Sequence, residues 1–245
     1  MGANDGRLRA KKILLTGGTT GIGRATLEAM AEEGARLLTF GRHQEELDEA
    51  LRTAGLGAEA GLTADVATRE GVESVFAAVD ERLGGIDILI CNAALGAQPL
   101  HEMDDDGWRY VIDTNLVGYL ACARAAIKRF ERSGGGHLLL VGSISAEIKA
   151  PGESVYAATK AGIQAFAETL RKEVEGKNIK VTLVEPGSVG SDMQECTVEE
   201  QREAIARGEM LEAREIAEGI LFALSRSERC DVVTLRMEPL IQKTA

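Results

Sequence analysis

The segment that most limits what this chain can become is Lys12-Ile-Leu-Leu-Thr-Gly-Gly-Thr-Thr-Gly-Ile-Gly23. Ile13, Leu14 and Leu15 are contiguous apolar residues, as a strand buried on both faces requires. Gly17, Gly21 and Gly23 then open an alanine-rich helical run through Met30. Glycine permits a sharp turn and the close approach of a ligand, and the first turn of the helix offers unpaired N–H groups suited to a pyrophosphate. The spacing G-x-x-x-G-x-G differs from the G-x-G-x-x-G of many dinucleotide sites and lacks the lysine of a phosphate-binding loop. Taken alone it also fits a turn that only lets helix and sheet pack closely, so the rest of the chain has to decide.

That remainder alternates strand and helix patterns. After a polar leader over 1–9, helices are expected over 24–33, 44–54, 69–83, 105–130, 153–174, 198–207 and 214–224. Strands are expected over 36–40, 58–63, 86–91, 137–141, 178–184 and 231–235, with Met237, Pro239, Leu240 and Ile241 as an apolar tail for core or subunit packing. At 245 residues this alternation predicts a single α/β domain, 1–245, in which the charged stretch 191–212 forms a movable rim over a substrate. A formal charge of −11 argues against a nucleic-acid backbone or an anionic membrane as partner. No apolar run reaches membrane-spanning length and no secretory signal opens the chain, which predicts a cytoplasmic protein. Cys91, Cys122, Cys196 and Cys230 form no C-x-x-C pair and read as reduced core or near-core thiols; no metal site is expected.

Several residues at strand ends carry chemistry. The second strand runs into Gly41-Arg42-His43 without an acid. An acid there would bond a ribose 2′-hydroxyl, whereas an arginine pairs with a 2′-phosphate, so NADP(H) is the preferred cofactor and NAD(H) the second candidate. Asp65 can hydrogen-bond at the sheet edge while Val66 covers a flat heterocycle, and Asn92-Ala93-Ala94 leaves room for a cofactor. Asn115 interrupts an apolar helix face and reads as a buried hydrogen-bonding residue. Tyr156 and Lys160 lie one helical turn apart on one face, so the ammonium can support a phenolate, with Ser143 orienting the pair. Pro186 fixes the exit from a later strand, Gly187 permits close approach to a planar ring, and Ser191 can bond its polar portion. A serine hydrolase is disfavoured, because Gly142-Ser143 is not part of a G-x-S-x-G elbow. His137 has no partner at metal-ligand spacing and reads as structural.

In combination, Thr16-Gly-Gly-Thr-Thr-Gly-Ile-Gly23, Asp65-Val66, Asn92-Ala93-Ala94, Asn115, Ser143, Tyr156-Ala-Ala-Thr-Lys160 and Pro186-Gly187 resemble the short-chain dehydrogenase/reductase family over nearly the whole chain. The resemblance implies a Rossmann-like, doubly wound sheet of seven strands, mostly or wholly parallel, and a homodimer or homotetramer. It implies that Asn115, Ser143, Tyr156 and Lys160 are catalytic: Tyr156 as proton donor in carbonyl reduction, Ser143 orienting the carbonyl oxygen, Lys160 on the nicotinamide ribose, and Asn115 holding a water of the proton relay. Cofactor contacts are expected from Gly17, Thr19, Thr20, Gly21, Ile22, Gly23, Arg42, Asp65, Val66, Asn92, Ala93, Ala94, Tyr156, Lys160, Pro186, Gly187, Val189 and Ser191. Thr20 stands where NADP-preferring members often carry a base, and Cys91 and Ala94 replace the outer residues of the usual Asn-Asn-Ala-Gly. The tail lacks the Val-Asp-Gly-Gly of many acyl-carrier-protein reductases and looks more like the branch acting on small hydroxy acids and alcohols.

The expected activity is therefore an alcohol dehydrogenase or carbonyl reductase acting on a small molecule, with Gln98, Ser145, Ala146, Glu147 and Met193 on the substrate side. Glu147 reads either as a selector of basic or hydroxyl-rich ligands or as an exposed loop carboxylate. The alternative of a different class is a catalytically inactive, nucleotide-sensing interaction protein.

Overall fold

The apolar runs become strands whose successive side chains feed two separate cores. In β1 (Lys12–Thr16), Leu14 packs into one cluster while Ile13 and Leu15 pack into the other, all three fully buried. The same alternation holds in β4 (Ile88–Cys91) and β5 (Gly136–Val141). With β2 (Arg36–Gly41), β3 (Gly61–Thr63), β6 (Ile179–Pro186) and β7 (Thr234–Met237) they form one sheet of seven strands in the order β3-β2-β1-β4-β5-β6-β7. Every pairing is parallel. The computed structural model describes residues 6–191, 194 and 196–242.

Helices cover both faces, as a wholly parallel sheet demands. On one face lie α1 (Gly21–Glu32), α2 (Gln44–Thr53) and α9 (Ala213–Leu224), which contribute Leu27, Met30, Leu47, Ile216 and Ile220 to the shared core. On the other lie α3 (Arg69–Ala78), α5 (Gly118–Ser133) and α7 (Ser154–Glu173), contributing Phe76, Tyr119, Phe130 and Ile163. The strand order reverses between β1 and β4, and the carboxyl ends of these two strands open the crevice where such sheets bind ligands.

Several boundaries differ from the sequence expectation. The long helix expected over 105–130 is α4 (Asp105–Ile112), a π-helical turn (Asp113–Val117) and then α5. The helix expected over 69–83 likewise ends in a π-helical turn, Val79–Leu83, closed by Gly84 at φ 65°. The stretch 58–63 begins as a 3₁₀ turn, leaving only Gly61–Thr63 in the sheet. The last strand begins at Thr234, not at 231, because Thr234 is the residue that pairs with Leu183. A short helix, α6 (Ser145–Ile148), was not anticipated, whereas α8 (Val198–Ala206) falls where expected and is closed by a Thr197–Glu200 capping box.

Two composition-based expectations also change. Leader residues 1–5 lie outside the described residues, and the part that follows is anchored: Leu8 is buried and Arg7 donates to the Ser225 carbonyl at 3.0 Å. Cys91 and Cys122 are buried as expected, but Cys196 is half-buried and Cys230 is exposed. Among the described residues no helix is long and apolar enough to cross a membrane.

Candidate active site

The crevice is built by stitching the ends of β1 and β4 together. Buried Thr16 accepts hydrogen bonds from the backbone N–H groups of Asn92 and Ala93, both at 2.9 Å, and the Asn92 side chain donates to the Gly17 carbonyl at 2.9 Å. Gly17 holds φ 68°, and a Cβ on it would lie 2.8 Å from Ala93 Cα. A Cβ on Gly23 would collide with the Gly17 carbonyl oxygen. These two glycines are therefore required by the turn and by its contact with β4, and the turn delivers the start of α1 into the cleft.

The cleft has a volume of about 440 Å³, within the range of small-molecule sites. Gly17, Thr19, Thr20, Gly21, Ile22 and Gly23 line one wall, and Arg42, Asp65 and Val66 line one end. Asn92, Ala93, Ala94, Pro186, Gly187, Val189 and Ser191 also line it, and Ser143, Tyr156 and Lys160 line the end toward β5, away from β2 and β3. All the expected cofactor contacts thus converge on one cavity. Asn115 does not line it. It is fully buried, accepts from Leu95 N at 2.7 Å and donates to the Leu95 carbonyl at 2.8 Å, so its side chain holds the chain segment after β4. Its place in a π-helical turn fits the tendency of such turns to occur at functional sites.

At the β5 end, desolvation sets protonation. Lys160 is 2% exposed, donates to the Val141 carbonyl at 2.9 Å, and lies 5.5 Å and 5.6 Å from the ring centres of Tyr156 and Tyr119. Burial pushes its pKa down to about 7. Burial pushes the Tyr156 phenol up to about 12, against the lowering effect of a hydrogen bond from Ser143. Ser143 Oγ also accepts from Ser145 N at 3.1 Å, so the serine hydroxyl is held beside the phenol oxygen at the cleft.

The proposed substrate-side residues are otherwise engaged. Glu147 pairs with Arg236 on β7 at 2.6 Å, and that guanidinium holds its carboxyl below the usual carboxylate range. The basic-ligand role for Glu147 is therefore not supported by its geometry, and the exposed-carboxylate reading is the one that fits. Ser145 Oγ donates to Glu153 at 2.9 Å, Ala146 is buried, and neither they nor Gln98 line the cleft. Met193 lies outside the described residues. His137 is buried against Thr182 Oγ1 at 2.8 Å, a structural position.

Among the site residues that escaped the sequence reading, Tyr110, Thr114 and Glu46 carry polar side chains. Tyr110 bonds both Arg42 and Asp65, and Thr114 lines the cleft. Thr114 is 6% exposed and its Oγ1 has no hydrogen-bond partner among the described residues. Tyr110 and Thr114 are one helical turn apart, a spacing that could have signalled a shared face.

A family model, short chain dehydrogenase, matches residues 11–202. The chain belongs to this family. It is an oxidoreductase of the short-chain dehydrogenase type, similar at 32% identity to the 3-oxoacyl-[acyl-carrier-protein] reductase of Haemophilus influenzae, over 89% of this chain and 92% of that protein. It is 28% identical to an uncharacterized oxidoreductase of Staphylococcus epidermidis over 96% of this chain and 99% of that protein. Among solved structures, a closed form of serine dehydrogenase complexed with NADP+ superimposes with a TM-score of 0.83 at 28% identity, covering 94% of this chain and 96% of the other.

The residues present fit a dinucleotide. Gly21 opens α1 without a Cβ, and one placed there would stand 3.2 Å from Ser191 Cβ across the cleft, closing the cradle where a pyrophosphate would meet the helix N–H groups. The unpartnered Thr114 hydroxyl is a buried polar group for which a polar ligand in the cleft would supply the missing bond.

Proposed function

We propose that the protein interconverts a small alcohol or hydroxy acid with its carbonyl compound, using NADP(H) in preference to NAD(H). The observation that carries this reading is the convergence of Ser143, Tyr156 and Lys160 at one end of a dinucleotide-sized cleft whose other end is lined by Arg42. A nicotinamide, when bound, supplies or accepts the hydride at the substrate carbon. Tyr156 keeps its proton at neutral pH, so in the reductive direction it gives that proton to the carbonyl oxygen as the oxygen becomes an alkoxide. Ser143 donates to the same oxygen and holds it in line with the phenol. Lys160, once protonated, stabilises the phenolate left on Tyr156, and the Val141 carbonyl and the Tyr119 ring fix the ammonium for that task. Asn115 keeps the segment at Leu95 in place against α7 through its contacts with Leu95 and with Thr159 Oγ1 at 3.4 Å.

The adenosine half of the cofactor takes the end lined by Arg42, Asp65 and Val66, where Arg42 offers a positive charge to a 2′-phosphate. The stretch 191–212 acts as the rim over the substrate; Gln201 ties its helix to the backbone of Ser191 and Cys196, so rim and cofactor loop move together. Exposed Val117 and Leu120 support assembly as a homodimer or homotetramer.

The test is oxidation of NADPH and NADH, followed by absorbance, over a panel of keto acids, ketones, diketones and a 3-oxoacyl thioester, with Tyr156→Phe beside the wild type. Turnover of small carbonyl compounds by the wild type alone supports the proposal. Preference for the thioester moves the substrate class toward that named in the Haemophilus relative, and cofactor binding without turnover on any compound favours the nucleotide-sensing alternative.

A further inference from the structure

Arg42 follows β2 and Asp65 follows β3, and both line the same end of the cleft. Between them stands Tyr110 of α4. Arg42 Nη1 donates to the Tyr110 oxygen at 3.0 Å, and the Tyr110 hydroxyl donates to Asp65 Oδ2 at 2.7 Å. Asp65 Oδ1 accepts from Ala67 N at 2.9 Å, so the carboxylate is itself held in place. The direction of this chain is fixed at both ends, because a guanidinium only donates and an ionised carboxylate only accepts. The phenol is therefore committed to bridge them, and the guanidinium also lies 5.7 Å from the centre of the Tyr110 ring.

We propose that Tyr110 determines cofactor specificity by positioning Arg42 for a 2′-phosphate. The inference rests on the reading of Arg42 given above and adds a residue outside the glycine turn and the end of β2. Arg42 is exposed, and an arginine free in solvent loses much rotamer freedom when it engages a ligand. Here one N–H is already committed to Tyr110, so the side chain is ordered before the phosphate arrives and the other N–H groups remain available to it. A cofactor with only a 2′-hydroxyl gains little from that preparation. Tyr110 thus acts through Arg42 as a positioning residue. The opposite sign is physically available: if the phenol held Arg42 away from the phosphate, removing its oxygen would tighten NADPH binding.

The deciding experiment is calorimetric titration of the full chain with NADPH and with NADH, for the wild type, Tyr110→Phe, Arg42→Ala and the double variant, with melting curves to establish folding. The expected result is an NADPH dissociation constant raised about five- to tenfold in Tyr110→Phe, with NADH changed less than about twofold, and no further loss when the same change is made in Arg42→Ala. Equal weakening of both cofactors, unchanged NADPH binding or tighter NADPH binding in Tyr110→Phe overturns the inference alone. A wild type that binds both cofactors equally and is unaffected by Arg42→Ala overturns the Arg42 reading and this inference with it. Should Tyr110→Phe fail to melt as a folded protein, Tyr110→His, which keeps a ring and a polar edge, is held to the same criteria.

Discussion

At the end of the cleft proposed for the reaction, Lys160 is buried and Tyr156 half-buried, and desolvation decides which of them holds a proton. At the end proposed for the adenosine, Arg42 is exposed and donates to one phenol. The first arrangement makes chemistry available by desolvation, moving a phenol up to about 12 and an ammonium down to about 7. The second works through geometry, with one phenol accepting from the guanidinium and donating to the Asp65 carboxylate. Substitutions at the reaction end should therefore change rates and pH-dependent stability, whereas those at the adenosine end should change which cofactor binds. The largest expected effect is at Tyr156: Tyr156→Phe should lower turnover by about 10²–10⁴-fold, the usual scale of a lost general acid, with cofactor affinity kept within a few-fold in calorimetry. Loss of cofactor binding in the same proportion would break the contrast between the two ends.

Lys160 tests whether burial is the cause. Its folded value of about 7 lies below the ordinary 10.5, so between those two values the unfolded chain holds a proton that the folded chain lacks, and stability rises with pH across that window. Below about pH 7 the burial penalty is present in full, on the order of 5 kcal/mol, and it is gone above about 10.5. Lys160→Met should abolish most activity yet be more stable than the wild type at pH 6, with the gap closing by pH 10.5 in urea melts. The Val141 carbonyl keeps a partner in this variant, because Tyr119 also donates to it at 3.2 Å. A stability difference that ignores pH would mean that the lysine is solvated.

What the sequence disclosed about these two ends follows the same division. The glycine turn, Ser143, Tyr156 and Lys160 were legible because each occupies a fixed place at a strand end or on one helix face, where spacing alone dictates neighbours. Tyr110 was not, because its partners lie 45 and 68 residues away and only the sheet order brings β2, β3 and α4 together. Asn115 was legible as buried and polar, but its partner Leu95 was hidden in a loop with no periodicity. The short helix α6 has four residues, too few for a helical pattern, and the π-helical turn at Asp113–Val117 keeps the apolar run of an ordinary helix. The start of β7 was misplaced because Asp231-Val-Val reads as strand, while the register with Leu183 begins only at Thr234.

His137, at the amino end of β5, supplies a control for burial without catalysis. Burial, aided by the Lys180 charge, pushes its pKa down to about 4 from 6.5. A histidine depressed in the folded state contributes stability that is complete above 6.5 and is lost as pH falls toward 4, here about 3 kcal/mol over the window. His137→Gln can still bond Thr182 but cannot take up the proton. Between pH 6.5 and 4 the wild type should lose about that much more stability than the variant in urea melts, while turnover at neutral pH stays unchanged. A change in turnover would mean that desolvation along β5 is felt at Ser143, and the two roles of burial would no longer be separable.

The smallest effect is expected at the exposed end. Arg42→Ala removes one solvent-screened cation, so NADPH affinity should fall about tenfold while NADH affinity holds, and the wild-type preference for NADPH should shrink as salt is raised. Turnover at saturating cofactor should not change, because nothing at Arg42 touches the proton held by Tyr156. Glu46 also lines this end, and with the guanidinium gone its carboxylate would be left facing a 2′-phosphate. Arg42→Ala/Glu46→Gln should then recover part of the NADPH affinity lost in the single variant. If it recovers none, Glu46 is screened by solvent, and the guanidinium alone sets the field at the adenosine end.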